Sequence, residues 1–140
     1  MKANEETLRT LNDLFAEEIE AAIRYLHLSV TVKGRDRLLI RETLLRGLAE
    51  TLEHAQAVGE QIVRAGGVPG LDLRIEIPAR MSHATEATRT ALAFEEAALD
   101  AYRDLLESVK DKDIPLEEFA RAQISVESRH VADLELLLDE

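Results

Sequence analysis

One small pattern of potentially reactive side chains occurs twice in this sequence. Glu18 is followed seven residues later by Tyr25, and His54 lies further along; Glu95 is followed by Tyr102, and then by His130. The copies are offset by 77 residues for the Glu and Tyr and by 76 for the His. The second copy also holds Glu127, which makes a Glu-x-x-His with His130. The first has Thr51 where its matching Glu would stand. Carboxylate oxygens with imidazole nitrogens suit iron, manganese or zinc. In helix bundles such donors build a dinuclear centre from one Glu on each of two helices and a Glu-x-x-His on each of the other two. Residues i and i+3 are neighbours on one helix face, so both side chains of that motif can reach one ion pair.

Their position along the helical period makes these carboxylates unusual. Glu18 falls one turn from Phe15 and Ala22 on an apolar stripe, whereas Glu17 and Glu20 point outward. Glu95 shares a face with Leu99 and Tyr102, and Glu96 turns toward solvent. Glu127 is central on its stripe and His130 sits at the edge. A carboxylate in a core costs several kcal/mol unless it is paired or bound to metal. Three at matching depth with two imidazoles point to cations; a metal-free polar network is the alternative.

Four helical segments must carry these residues. A period of about 100° per residue marks a first helix from about Glu5 to Val32, with a stripe of Leu8, Leu11, Phe15, Ile19, Ala22, Leu26 and Val30. A second, from about Arg37 to Ala65, aligns Ile40, Leu44, Leu48, Ala55, Val58 and Ile62. A third, from about Ser82 to Val109, aligns Ala91, Phe94, Ala98, Tyr102, Leu105, Leu106 and Val109. The fourth, from about Leu116 to Leu138, aligns Leu116, Ala120, Val131, Leu134 and Leu138. Gly34 predicts a short turn between antiparallel first and second helices. Gly66-Gly67-Val68-Pro69-Gly70 ends the second, because glycine favours left-handed helix caps. Asp113-Ile114-Pro115 opens the fourth, with Pro in its first turn. Residues 66–81 remain as a long extended link. Its alternation at 71–77 is strand-like, but no partner strand is evident. The expected fold is therefore all-α: an antiparallel four-helix bundle of two hairpins joined by a long crossover, the ferritin-like arrangement.

Composition sets the outer limits. A chain of 140 residues is expected to form a single domain over 1–140 with a core of its own. No apolar run approaches the roughly 18 residues of a membrane helix. The stretch from Met1 to Arg9 is polar and does not read as a signal peptide, so the expected location is cytoplasmic. There is no Cys, which excludes disulfides, thiolate zinc sites, iron–sulfur clusters and Cys nucleophiles. A net charge of −11 argues against nucleic acid as a partner.

Over nearly its whole length the sequence resembles bacterioferritin and, more distantly, rubrerythrin. The residues that carry the resemblance are Leu11-Asn12-Asp13-Leu14-Phe15-Ala16-Glu17-Glu18 with Tyr25, Glu53-His54-Ala55, Gly66-Gly67-Val68-Pro69, Glu95, and Glu127-Ser128-Arg129-His130. The resemblance implies that Glu18 and His54 serve one iron, that Glu95 and His130 serve the other, and that Glu127 bridges them. Tyr25 and Tyr102 look like the family's donors that orient carboxylates; read from the sequence alone they are equally well core aromatics. The implied activity is binding of Fe(II) and its oxidation by oxygen or peroxide. A diiron peroxidase or oxidase, or a non-catalytic subunit acting structurally or in a hetero-oligomer, are the alternatives.

The departures from the family pattern are specific. Thr51 removes one of two bridging carboxylates, which weakens paired binding. Glu50 is the further candidate to fill that gap, though it lies off the stripe, while Glu53 faces solvent. Leu52 stands where the family's haem-ligating Met would be, and Met1 and Met81 lie elsewhere, so no family-type haem is expected. The sequence stops as the fourth helix finishes, without the short fifth helix of cage-forming bacterioferritins. That implies a homodimer, with a larger assembly as the alternative. The lack of Cys rules out a complete rubrerythrin. His27 reads as a surface or interface residue and His83 as a helix-start residue.

Overall fold

The computed structural model describes residues 4–139; Met1 lies outside them. Four long helices follow in order: α1 (Glu5–Thr31), α2 (Arg37–Arg64), α3 (Ala84–Val109) and α4 (Ile114–Leu138). The local reasons are visible at their ends. Asn4 caps α1, its side chain accepting a bond from the Thr7 N–H at 2.8 Å. Asp113 caps α4 through the Leu116 N–H at 3.1 Å, and Pro115 occupies the first turn. Gly34, at φ +100°, makes the turn into α2, and Gly66, at φ +91°, follows its last turn.

The helices pack as two hairpins, α1 on α2 and α3 on α4, with α1 also packed on α3. Residues 66–81 form the long crossover and contain no strand. They are tied to α1 at two points, where Asn12 accepts from the Gly70 N–H at 2.8 Å and Glu20 from the Arg74 N–H at 2.7 Å. Glu20 is thus half-buried rather than turned outward. One pairing escaped the sequence. β1 (Val32–Lys33) and β2 (Ser82–His83) form a two-residue parallel pair, Val32 opposite Ser82. This pins the end of α1 to the start of α3. No helix among the described residues is long and apolar enough to cross a membrane.

The core is divided in two. Leu11, Leu14, Val58, Ile62, Tyr102, Leu105 and Leu116 fill one end; Tyr25, Leu28, Val32, Ile40, Leu44, Ala91 and Leu134 fill the other. The stripe expected on α1 needs correction. Leu26 and Val30 are 51% and 61% exposed, while Leu14, Tyr25, Leu28 and Val32 are buried. Each step of four residues turns about 40° beyond a full circle, so a stripe followed by fours drifts off the buried face before the helix ends.

Candidate metal centre

Between the two apolar halves lies a belt of polar side chains, one or more from each helix. Glu18 comes from α1, Thr51 and His54 from α2, Glu95 from α3, and Glu127 and His130 from α4. Glu18, Thr51, Glu95 and Glu127 are buried; the two imidazoles are half-buried. Glu53 and Glu96 are exposed.

The five acidic and imidazole side chains meet in two triads that share one member. His54 Nδ1 lies 2.9 Å from Glu127 Oε1 and 3.2 Å from Glu18 Oε2. His130 Nδ1 lies 3.6 Å from Glu95 Oε2 and 3.8 Å from Glu127 Oε2. Within each triad, donor atoms fall inside 4.8 Å of one another. The two imidazole rings are nearly parallel, 15° apart with centroids at 5.8 Å. Each therefore turns Nδ1 toward the shared Glu127.

The electrostatics are those of a buried acidic cluster facing two imidazoles. Burial pushes the Glu18 carboxyl above its usual range, against the pull of His54. Glu95 is likewise raised by burial, with His130 opposing and Glu127 adding to the rise. Glu127 goes the other way: burial would raise it, but the facing imidazoles of His130 and His54 hold it well below the ordinary value. Burial lowers His54, yet Glu127 and Glu18 outweigh it and carry the imidazole up to about 10. Glu127 and Glu95 raise His130 to about 10 as well. Glu18 Oε2 and Glu127 Oε2 are nonetheless buried with no hydrogen-bond partner. Two orphan carboxylate oxygens beside imidazole nitrogens, three hard anionic ligands in all, fit one or two divalent ions.

The surrounding residues fall unevenly on the two halves. The Tyr25 hydroxyl donates to Glu95 Oε1 at 2.5 Å. The matching Tyr102, fully buried near Glu18, closes no well-formed hydrogen bond through its hydroxyl. Glu50 joins neither triad. Its Oε2 lies 2.8 Å from His130 Nε2, so it engages the imidazole of the opposite half rather than the gap beside His54. A cleft of about 90 Å³, lined by Tyr25, Gly47, Glu50, Glu95 and His130, leads from solvent to this half. It has room for several water molecules.

The other residues singled out by sequence lie away from the belt. His27 lines a separate cleft of about 170 Å³ against the crossover. His83 occupies the cap position of α3 without a side-chain capping bond. Leu52 and Met81 are exposed. Gly47 was not anticipated, nor was the contact of Glu50 with His130. An unexplained glycine inside a strongly periodic helix was the available signal for the first; the second depends on how α2 faces α4.

Comparison with known proteins agrees with the fold. The Ferritin family model, a ferritin-like domain, matches residues 8–140. A ferritin-like diiron-carboxylate protein from Bacillus anthracis str. Ames superposes with a TM-score of 0.86 at 25% identity, covering 96% of both chains. The bacterioferritin of Rhodobacter capsulatus, described with a metal-free dinuclear site and a haem iron, superposes with a TM-score of 0.76 at 25% identity, over 99% of this chain and 86% of that one. A dodecameric thioferritin, the bacterioferritin-related protein of Bacteroides fragilis, shares the fold with a TM-score of 0.86 at 21% identity, over 96% of this chain and 84% of its own. No curated protein matches the sequence.

Proposed function

The chain belongs to the ferritin family of ferritin-like domains, and on that premise we propose that it takes up Fe(II) between the two halves of its core and oxidises it with oxygen or peroxide. The observation that carries this reading is the pair of carboxylate–imidazole triads sharing Glu127 inside an otherwise apolar bundle. Glu18 and His54 would hold one ion, Glu95 and His130 the other, with Glu127 between them.

Iron supplies the redox chemistry. Each Fe(II) gives one electron, so two Fe(II) and two protons reduce one dioxygen to hydrogen peroxide, or one hydrogen peroxide to two waters. The chain supplies binding, orientation and charge. Burial of the three carboxylates raises the affinity of the belt for cations, since metal relieves the desolvation they suffer. Tyr25 fixes Glu95 by its hydrogen bond, and Glu50 fixes the ring of His130 from behind. Two buried apolar layers flank the belt along the bundle, and the cleft at Glu50 and Gly47 opens it to solvent.

Thr51 sets the limit of this activity. Three carboxylates leave one positive charge of two Fe(II) uncompensated, so the second ion binds more weakly than the first. That residue also favours the second reading, a subunit whose impaired site serves structure in a hetero-oligomer. The proposed site uses no haem, because Leu52 offers no ligand to iron. For assembly we infer a homodimer. Leu38, Leu45 and Leu52, spaced by seven residues on α2, form one stripe and are 78%, 37% and 49% exposed. The whole chain acts as one domain, in the cytoplasm. Loading with Fe(II) without oxygen, counting iron per chain and then admitting oxygen tests the reading: oxygen uptake in step with bound iron supports it, and iron without uptake favours the structural role.

A further inference from the structure

Gly47 lies well inside α2, where glycine weakens a helix relative to alanine. A Cβ at this position would stand 2.5 Å from Cε1, 2.6 Å from Cζ and 2.9 Å from Cδ1 of Tyr25. Carbon atoms do not approach so closely, so the ring occupies the space that any side chain at 47 would need. The carbon that bears the hydroxyl is among the atoms seated there.

The ring cannot step aside cheaply. Tyr25 is 3% exposed, it meets Phe94 edge-on at 5.7 Å, and its hydroxyl is committed to Glu95 at 2.5 Å. The other interior glycine of α2 is a contrast: a Cβ on Gly59 would come no nearer than 3.2 Å to Phe15. The second half of the repeat is another. Seven residues before His54 stands Gly47, whereas seven before His130 stands Gln123. In that half the Tyr102 hydroxyl lies against Glu18 without closing a well-formed hydrogen bond. On the Tyr25 side, α2 carries no side chain where the ring sits.

We propose that Gly47 is a positioning residue for the metal centre: it leaves the seat in which Tyr25 holds Glu95 Oε1, so that Glu95 Oε2 is turned toward His130. The geometry stands by itself; its consequence for binding rests on the iron reading above.

The test has a metal-free arm and a metal arm. The chain has two Tyr and no Trp, so in a Tyr102→Phe background Tyr25 alone reports by fluorescence. A phenol bonded to a carboxylate emits weakly. Gly47→Ala in that background should release the quenching, and Gly59→Ala should not. Unchanged Tyr25 emission in Gly47→Ala would overturn the proposal, whether or not metal binds. In the metal arm, cobalt(II) titration should show Gly47→Ala, Tyr25→Phe and their combination weakened by one and the same factor, about tenfold. Factors that multiply in the combination, or a Gly47→Ala that binds as the parent does, also overturn it. A parent that binds no cobalt(II) counts against the iron reading alone and leaves the fluorescence result to decide. If Gly47→Ala does not fold, adding Tyr25→Leu should restore folding; failure to restore it overturns the proposal.

Discussion

His130 and Glu50 meet at 2.8 Å, Nε2 against Oε2, while the other nitrogen of the ring faces Glu95 and Glu127. An imidazole held at one nitrogen by a carboxylate is fixed in orientation and made a better ligand through the other. Glu50 comes from α2 and His130 from α4, so the contact also ties the two hairpins together across the belt. Glu50→Gln is expected to lower affinity for Fe(II) or cobalt(II) by about tenfold, with little change in thermal stability. Calorimetric titration without oxygen reads the effect.

Thr51 is buried, one turn before His54, on the face that a second bridging carboxylate would use. Thr51→Glu is expected to tighten the weaker of the two ions by at least about tenfold, since outer and inner carboxylates at metal sites carry effects of that size. Oxygen uptake per iron should rise with it. Equal affinity in the two proteins would show that Glu127 alone suffices as the bridge.

The imidazoles give the metal-free protein a defined pH response. His54 and His130 are raised from 6.5 to about 10 in the folded chain. Their stabilising contribution is fully present below the unfolded value and is lost as pH rises through the folded one. Glu18 and Glu95, raised by burial, have the same sign but act earlier, their contribution being lost as pH rises above 4.5, for Glu95 by about pH 7. Glu127 has the opposite sign, because its depressed carboxyl contributes above 4.5 and loses that contribution in acid. In the presence of a chelator, Tm should therefore be highest near about pH 4.5, fall in acid through Glu127, and fall with rising pH first through the two raised carboxyls and then, above about pH 6.5, through the imidazoles. Bound metal, which requires neutral imidazoles, should remove the alkaline fall.

Leu45 sits at the centre of the exposed stripe on α2, between Leu38 and Leu52. A charge placed there would be buried by a partner copy. Leu45→Glu is expected to convert a dimer to a monomer in sedimentation without altering the helical signal in circular dichroism. A monomeric parent protein would remove the basis for the homodimer.

The helices and the belt were legible because each depends on a local period. Glu18, Glu95 and Glu127 fall in phase with apolar neighbours, and capping residues such as Asp113 mark where helices begin. Other features depend on contacts between segments far apart in sequence. Val32 opposite Ser82 is one; Glu50 on His130 is another. The buried face of α1 was legible at Leu11 and lost by Leu26 and Val30, because a repeat of four drifts around the helix. Gly47 carries no periodic signal at all, since its role is the space it leaves for Tyr25.

The most direct measurement is iron per chain, titrated as Fe(II) without oxygen, in the parent protein and in Glu127→Ala. Glu127 alone belongs to both triads, so its loss should abolish tight binding at both ions while the parent binds at least one tightly. Equal iron in the two proteins, or none in the parent, would contradict a cation site between the two halves of the core.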